Sequence, residues 1–354
     1  MSGMGTKTNS GNFFEDFSVG MRLTHATPRT LTTGDMAVYM SLYGPRFAVQ
    51  SSGPFAQSIG YPQAPIDDLI VFHLVLGKSV PDVSLNAVAN LGYAECVFGV
   101  PVFPGDTIRA ESEVIGLKEN SNKRSGVVYV RTRGVNQHNE VVLQYARWVM
   151  VHKRDHDAPA PTPVVPELAE AVEASLFETA TLPDGLANYD NTLSGSPHRF
   201  ADYRIGEKID HVDGMTIEEA EHQSATRLYQ NTAKVHFNAL EQKQSRFGQR
   251  LVYGGVIISM ARSHSFNGLG NAFKLMAING GSHVGPSFSG DTIYAWSEVL
   301  DMQEIAVHPE IGALRLRTVA LKERDASEFT RFDAAGRYDP SVVLDLDYWV
   351  GIPK

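Results

Sequence analysis

The chain is written twice. The stretch "VFPGDTIRAESEV" (102–114) returns as "SFSGDTIYAWSEV" (287–299), with nine identical pairs at a constant offset of 185. "FEDFSVG" (14–20) matches "FADYRIG" (200–206), and "GVVYVRT" (126–132) matches "GALRLRT" (312–318), both at 186. The final strands "VVLQYARWVMVHK" and "VVLDLDYWVGIPK" pair at 201, so the second copy has gained about fifteen residues near "DASEFTRFDAAGRYD". Register held over so many segments implies two copies of one structural unit. The first copy is placed at 1–153 and the second at 196–354. Between them, 154–195 opens on alternating Pro and Ala, which predicts an extended spacer, and a short helical pattern follows near 167–177.

Each copy has one order of elements. A short strand leads to a helical stretch, and about four strands follow. "DDLIVFHLVLGKSV" is apolar on nearly every side, as a fully buried helix is. The later segments alternate with period two, as strands do, and Gly and Asn between them supply turns. One buried helix followed by an antiparallel meander predicts an α+β unit with its sheet wrapped round the helix.

Composition narrows the function classes. Forty acidic against 31 basic residues give a net charge of -9, which argues against a nucleic-acid partner, since that affinity rests on phosphate neutralisation. A single cysteine, Cys96, fits a reducing compartment. The first residues, "MSGMGTKTNSGN", lack the apolar core of a signal peptide. No apolar run approaches the roughly 20 residues that span a bilayer. A cytoplasmic protein without a membrane or nucleic-acid partner is expected, and association through sheet edges into a homo-oligomer stays open. The histidines are scattered singly, with no metal-ligand spacing.

The element order, the "GDT" strand after a proline, and the stretches "YQNTAKVHFN" (229–238) and "VYGGVIIS" (252–259) resemble the MaoC-like, R-specific enoyl-CoA hydratase family. The resemblance implies a tandem, or double, hotdog fold in which one copy keeps the chemistry and the other shapes the acyl pocket. Asn231 stands where that family has a catalytic aspartate, and His236 stands at its histidine. "SLYGPRFAVQSS", "APIDDLIVFH" and "SFNGLGNAF" are similar to the members that act on mesaconyl-CoA. The implied reaction is the reversible dehydration of β-methylmalyl-CoA to mesaconyl-CoA, with coenzyme A as part of the substrate and no separate cofactor. Other acyl-CoA hydration, a hotdog thioesterase and a non-catalytic acyl-CoA binding module are the alternatives.

Hydration beside a thioester needs a base for water, an acid for the α-carbon, and donors for the enolate oxygen. His236 is the expected base or water-orienting group. Asn231 either holds a water or simply caps a turn. The amides of Gly254 and Gly255, at a helix start, are expected oxyanion donors, against a plain packing role. The repeat offset puts Gln50 opposite His236 and Asp68 opposite Gly254, with Asp67 beside it. Either aspartate is a candidate for the missing acid, reaching across from the other copy, or else a helix cap. The substrate's free carboxylate implies a cation, for which Arg46 and Lys234 are candidates. Arg246 and Arg262 are candidates for the phosphates of coenzyme A.

Overall fold

The computed structural model describes residues 7–354, so part of the N-terminal stretch discussed above lies outside the described residues. In the first copy, strand β1 (Arg22–Thr30) and helix α1 (Thr33–Tyr43) precede the central helix α2 (Asp68–Ser79). Strands β2 (Ala87–Phe98), β3 (Thr107–Glu119), β4 (Ser125–Val135) and β5 (Val141–His152) follow. The second copy repeats this as β6 (Lys208–Asp210), β7 (Met215–Thr216), α3 (Glu219–Leu228) and α4 (Gly254–His264). Strands β8 (Lys274–His283), β9 (Thr292–Glu304), β10 (Ile311–Lys322) and β11 (Val342–Pro353) complete it.

The strands form one antiparallel sheet in the order β1-β3-β4-β5-β2-β8-β11-β10-β9-β6, with β7 also on β9. That order mirrors itself about the β2–β8 junction, where Ala94, Cys96 and Val97 pair with Gly280, Ile278 and Ala277. The duplication is therefore visible as a pseudo-twofold axis through the seam. Tyr43 and Tyr229, related by the repeat, bring their hydroxyls within 3.0 Å of one another there. His73 of α2 and Ser259 of α4, related likewise, meet at 3.2 Å.

Local chemistry explains why the repeated motifs survive. In each "F-x-G-D-T" segment the aspartate accepts the amide of the phenylalanine, Asp106 from Phe103 at 2.8 Å and Asp291 from Phe288 at 2.9 Å. The glycine between them takes a positive φ, +107° at Gly105 and +96° at Gly290, where a side chain would be strained. A buried polar chain is also duplicated. His25 Nε2, Ser112 and Thr132 are linked at 2.7 and 2.8 Å. His211 Nε2, Ser297 and Thr318 are linked at 2.8 and 2.7 Å.

Helix α2 is buried from Leu69 to Ser79 and α4 from Gly255 to His264, so each is the axle of its own half of the sheet. One apolar cluster contains both helices and strands of both copies, from Leu69 and Val75 to Val256, Leu314 and Val350. The two copies share a core rather than merely touching.

The connection between copies departs from the sequence expectation. Its helical turn is a 3-10 segment at Ala174–Thr179, later than the expected 167–177. Nor is it a free spacer throughout. Val164 bridges Leu117, and Phe177 packs edge-on to Trp349 at 5.4 Å. Burying Val172, Phe177, Leu182 and Tyr189 on the outer side of the sheet ties the segment down. Among the described residues no helix is long and apolar enough to cross a membrane.

Candidate active site

The start of α4, the loop after α3 and the facing wall of the first copy enclose a cavity of about 640 Å³. The second copy contributes Asn231, Lys234, His236, Arg246, Gly254, Gly255 and His283 to its lining. The first contributes Phe72, Leu76, Val80, Tyr93 and Arg147 among others. So a single cavity is built by both copies.

The loop after α3 is held so that its polar groups have fixed roles. Gln223 donates to the carbonyl of His236 at 2.7 Å, and Leu251 N–H to that of Val235 at 3.1 Å. His236 donates Nδ1–H to the carbonyl of Leu251 at 3.0 Å, which fixes the tautomer and leaves Nε2 as an acceptor. Its ring leans on Tyr253, centroids 5.5 Å apart. Burial lowers the His236 pKa to about 4, against a smaller raising effect of the Leu251 carbonyl. The imidazole is therefore neutral at pH 7.

Asn231 is buried, and its side-chain oxygen accepts the Ala233 amide at 3.1 Å. That is the turn role, and it leaves the amide nitrogen toward the cavity lining without a partner among the described residues. The two readings of Asn231 are thus compatible, since one side chain has two ends.

Gly254 and Gly255 open α4, and neither amide has an acceptor among the described residues. The packing reason for glycine holds as well. A Cβ on Gly254 would lie 2.4 Å from the ring of His283, and one on Gly255 2.6 Å from that of His73. The close approach of these rings excludes side chains and keeps the helix N-terminus open to the cavity.

Four expected site residues lie elsewhere. Asp67 caps α2 by accepting the Leu69 amide at 2.9 Å, and it lines a separate small pocket with Tyr39, Phe47 and Gln50. This is the first copy's own counterpart of the active site, and it is nearly filled. Gln50 there donates to the Phe273 carbonyl at 2.9 Å. Asp68 crosses to the second copy, but to β8, where it pairs with Lys274 and accepts the Leu275 amide at 3.0 Å. Neither aspartate reaches the His236 cavity, because the pseudo-twofold sets the start of α2 at the opposite end of the seam from the start of α4. Arg46 is exposed and stacks on Phe266 at 4.8 Å. Arg262 is buried in the last turn of α4, bonded to Ser265 and the Ala272 carbonyl, with its guanidinium 3.8 Å from the centre of the Phe47 ring. Lys234 and Arg246, by contrast, are exposed cations on the cavity lining.

Tyr93, Arg147 and His283 also line the cavity and were not singled out from the sequence. Arg147 carried a signal. In "LQYARWVMV" it shares the inward phase with Leu143, Tyr145 and Val149, all buried, and a charge in that phase faces a core or a cavity.

Comparison with known proteins agrees with this architecture. The chain is 60% identical over 351 residues to a curated β-methylmalyl-CoA dehydratase of Chloroflexus aurantiacus, covering 99% of each. It is 59% identical over 350 residues to a mesaconyl-CoA hydratase of Cereibacter sphaeroides, covering 98% of this chain and 100% of that one. The crystal structure of a MaoC domain protein from Chloroflexus aurantiacus superposes with a TM-score of 0.95 at 60% identity, covering 99% of both chains. A Mycobacterium tuberculosis protein described as a double hotdog superposes at 0.72 with 24% identity, covering 98% of this chain and 99% of that one, which bears on the fold alone. The fold is an α+β double hotdog. The model of the mesaconyl-CoA hydratase family matches residues 4–335, and the chain belongs to that family.

Proposed function

We propose that this chain is a hydro-lyase that interconverts mesaconyl-CoA and β-methylmalyl-CoA. The observation that carries the reading is His236, its Nδ1 committed to Leu251 and its Nε2 left basic, in one cavity with the unpartnered amides of Gly254 and Gly255. Relatives of that activity at about 60% identity over nearly the whole chain support the choice of substrate.

In the hydration direction His236 Nε2 takes a proton from water as the water oxygen bonds to the β-carbon. The π electrons shift toward the thioester, and the enolate oxygen is held by the Gly254 and Gly255 N–H groups at the positive end of α4. The α-carbon then takes a proton to give the saturated thioester. Apart from Glu241, which is exposed, no carboxylate among the described residues lines the cavity. The same imidazole, charged by the first step, is therefore assigned the second. An imidazolium in a site that lowers its pKa is a willing donor. Asn231 orients the water through its free amide end. Lys234 and Arg246 are assigned to the phosphates of coenzyme A, which enters as part of the substrate, and no other cofactor is invoked. The single Cys96, buried in the seam, suits a reducing cytoplasm.

A thioesterase reading drew on Asp67 or Asp68, and neither lines this cavity. Purified protein given mesaconyl-CoA should lose conjugated-enoyl absorbance without releasing thiol. Release of free coenzyme A, or tight binding with no turnover, would contradict the assignment.

A further inference from the structure

The chemistry assigned above lies on the second copy, yet the facing wall of the cavity carries a cation with no ion-pair partner among the described residues. Arg147 on β5 is 1% exposed. Its Nη2 donates to Ser79 Oγ at 2.8 Å and more weakly to Ser84 Oγ at 3.4 Å, and its Nε is buried with no partner. It makes no ion pair with a carboxylate among the described residues. Asp82, close by in sequence to Ser84, is committed to His25 Nδ1 at 2.7 Å. A buried guanidinium without a counter-ion is costly, so its presence in a cavity wall points to an anion that arrives.

A second donor rises from the neighbouring strand. Tyr93 on β2 is the cross-strand partner of Arg147 in the β2–β5 register, so both side chains leave the same face of the sheet. Tyr93 is 3% exposed and its hydroxyl, too, has no partner. Both residues line the cavity that holds His236 and the two glycines. The Tyr93 ring lies edge-on to His283 at 6.2 Å, and His283 in turn covers Gly254. Phe72, Leu76 and Val80 make the nearby wall apolar, which strengthens any charge pairing there.

We propose that Arg147 and Tyr93 seat the free carboxylate of the substrate, and so set the enzyme's preference for a dicarboxylic thioester. The inference rests on the reaction assigned above. In mesaconyl-CoA that carboxylate is attached to the β-carbon, the atom that receives the water oxygen. A guanidinium and a phenol hydroxyl gripping it would fix the β-carbon relative to His236, from the copy in which Gln50 stands opposite that histidine. This places the specificity determinant in the first copy and the reacting groups in the second.

The test compares mesaconyl-CoA with tiglyl-CoA, the same branched enoyl thioester with a methyl group in place of the carboxylate. In the wild type, leaving the guanidinium unpaired should make tiglyl-CoA the poorer substrate by orders of magnitude. Arg147→Met should lower the ratio of kcat/KM values, mesaconyl-CoA over tiglyl-CoA, by about 100-fold or more, and Arg147→Lys by less. Tyr93→Phe removes one oxygen and keeps the ring, so it reports even if Arg147→Met does not fold, and it should lower the ratio by about 10-fold. An unchanged ratio in the variants that fold, or equal loss on both substrates, overturns the carboxylate seat while leaving the hydratase assignment standing. A wild type that hydrates tiglyl-CoA but not mesaconyl-CoA overturns the assignment of the reaction itself.

Discussion

At the scale of single residues, the histidine assigned as the base is unusual in its charge state. An ordinary histidine is half charged near pH 6.5, but burial holds His236 to about 4. The base form is the neutral one, so activity lost to protonation should appear only as pH falls through about 4, and not between 7 and 6. A kcat/KM profile flat from pH 8 to about 5, with its acid limb below, is expected. An acid limb centred near 6.5 would mean that His236 is not held as described, or is not the base. Asp67 shows the opposite sign. Burial first, and then the neighbouring Asp68, raise its pKa to about 6. Its charged form is therefore disfavoured in the fold, with a penalty absent at pH 4 or below, growing up to pH 6 and constant above. Asp67→Asn keeps a good cap and removes that penalty, so it should raise the melting temperature at pH 7 and change it little at pH 4. A fall at pH 7 would restore an ionised role to Asp67.

At the scale of elements, the two central helices begin alike but end in different employment. The start of α4 is stripped to two glycines so that the rings of His283 and His73 can close on it, and its amides stay free. The start of α2 instead carries two acids, of which Asp68 locks the copies together through Lys274, with both side chains largely buried. Asp68→Asn should strand that ammonium and cost about 3–5 kcal/mol in urea unfolding, with turnover per folded molecule nearly kept. Gly255→Ala should do the reverse in emphasis. Its Cβ meets two rigid rings, so about 1–3 kcal/mol is lost to overpacking and turnover falls as the amides are pushed aside. If Gly255→Ala retains full turnover, those amides are not the oxyanion donors. His236, Asn231 and the glycine pair line one cavity because they follow each other along one helix-loop-helix, which the sequence already shows. The sequence misplaced the aspartates because a repeat offset identifies equivalent positions, not which side of the seam they face. Arg147 and Tyr93 were out of reach because only the pairing of β2 with β5 brings them together, although the inward phase of Arg147 was already readable.

At the scale of the whole molecule, duplication has produced one shared core and one enlarged cavity. The repeat and the element order implied two α+β units, each a sheet wrapped round its helix, and the resemblance to the MaoC-like family implied that together they form a double hotdog. What the repeat did not disclose is how unequally the two equivalent pockets have fared. One opens to about 640 Å³, and the other, around Gln50 and Asp67, has shrunk to about 10 Å³. The central claim is that the second copy reacts while the first only shapes and selects. Steady-state hydration of mesaconyl-CoA by His236→Ala and Gln50→Ala, measured side by side on folded protein, tests it most directly. The His236 variant should lose roughly 100- to 10,000-fold in kcat, and the Gln50 variant no more than a few-fold. Equal losses at the two positions, or a His236 variant within a few-fold of wild type, would contradict it.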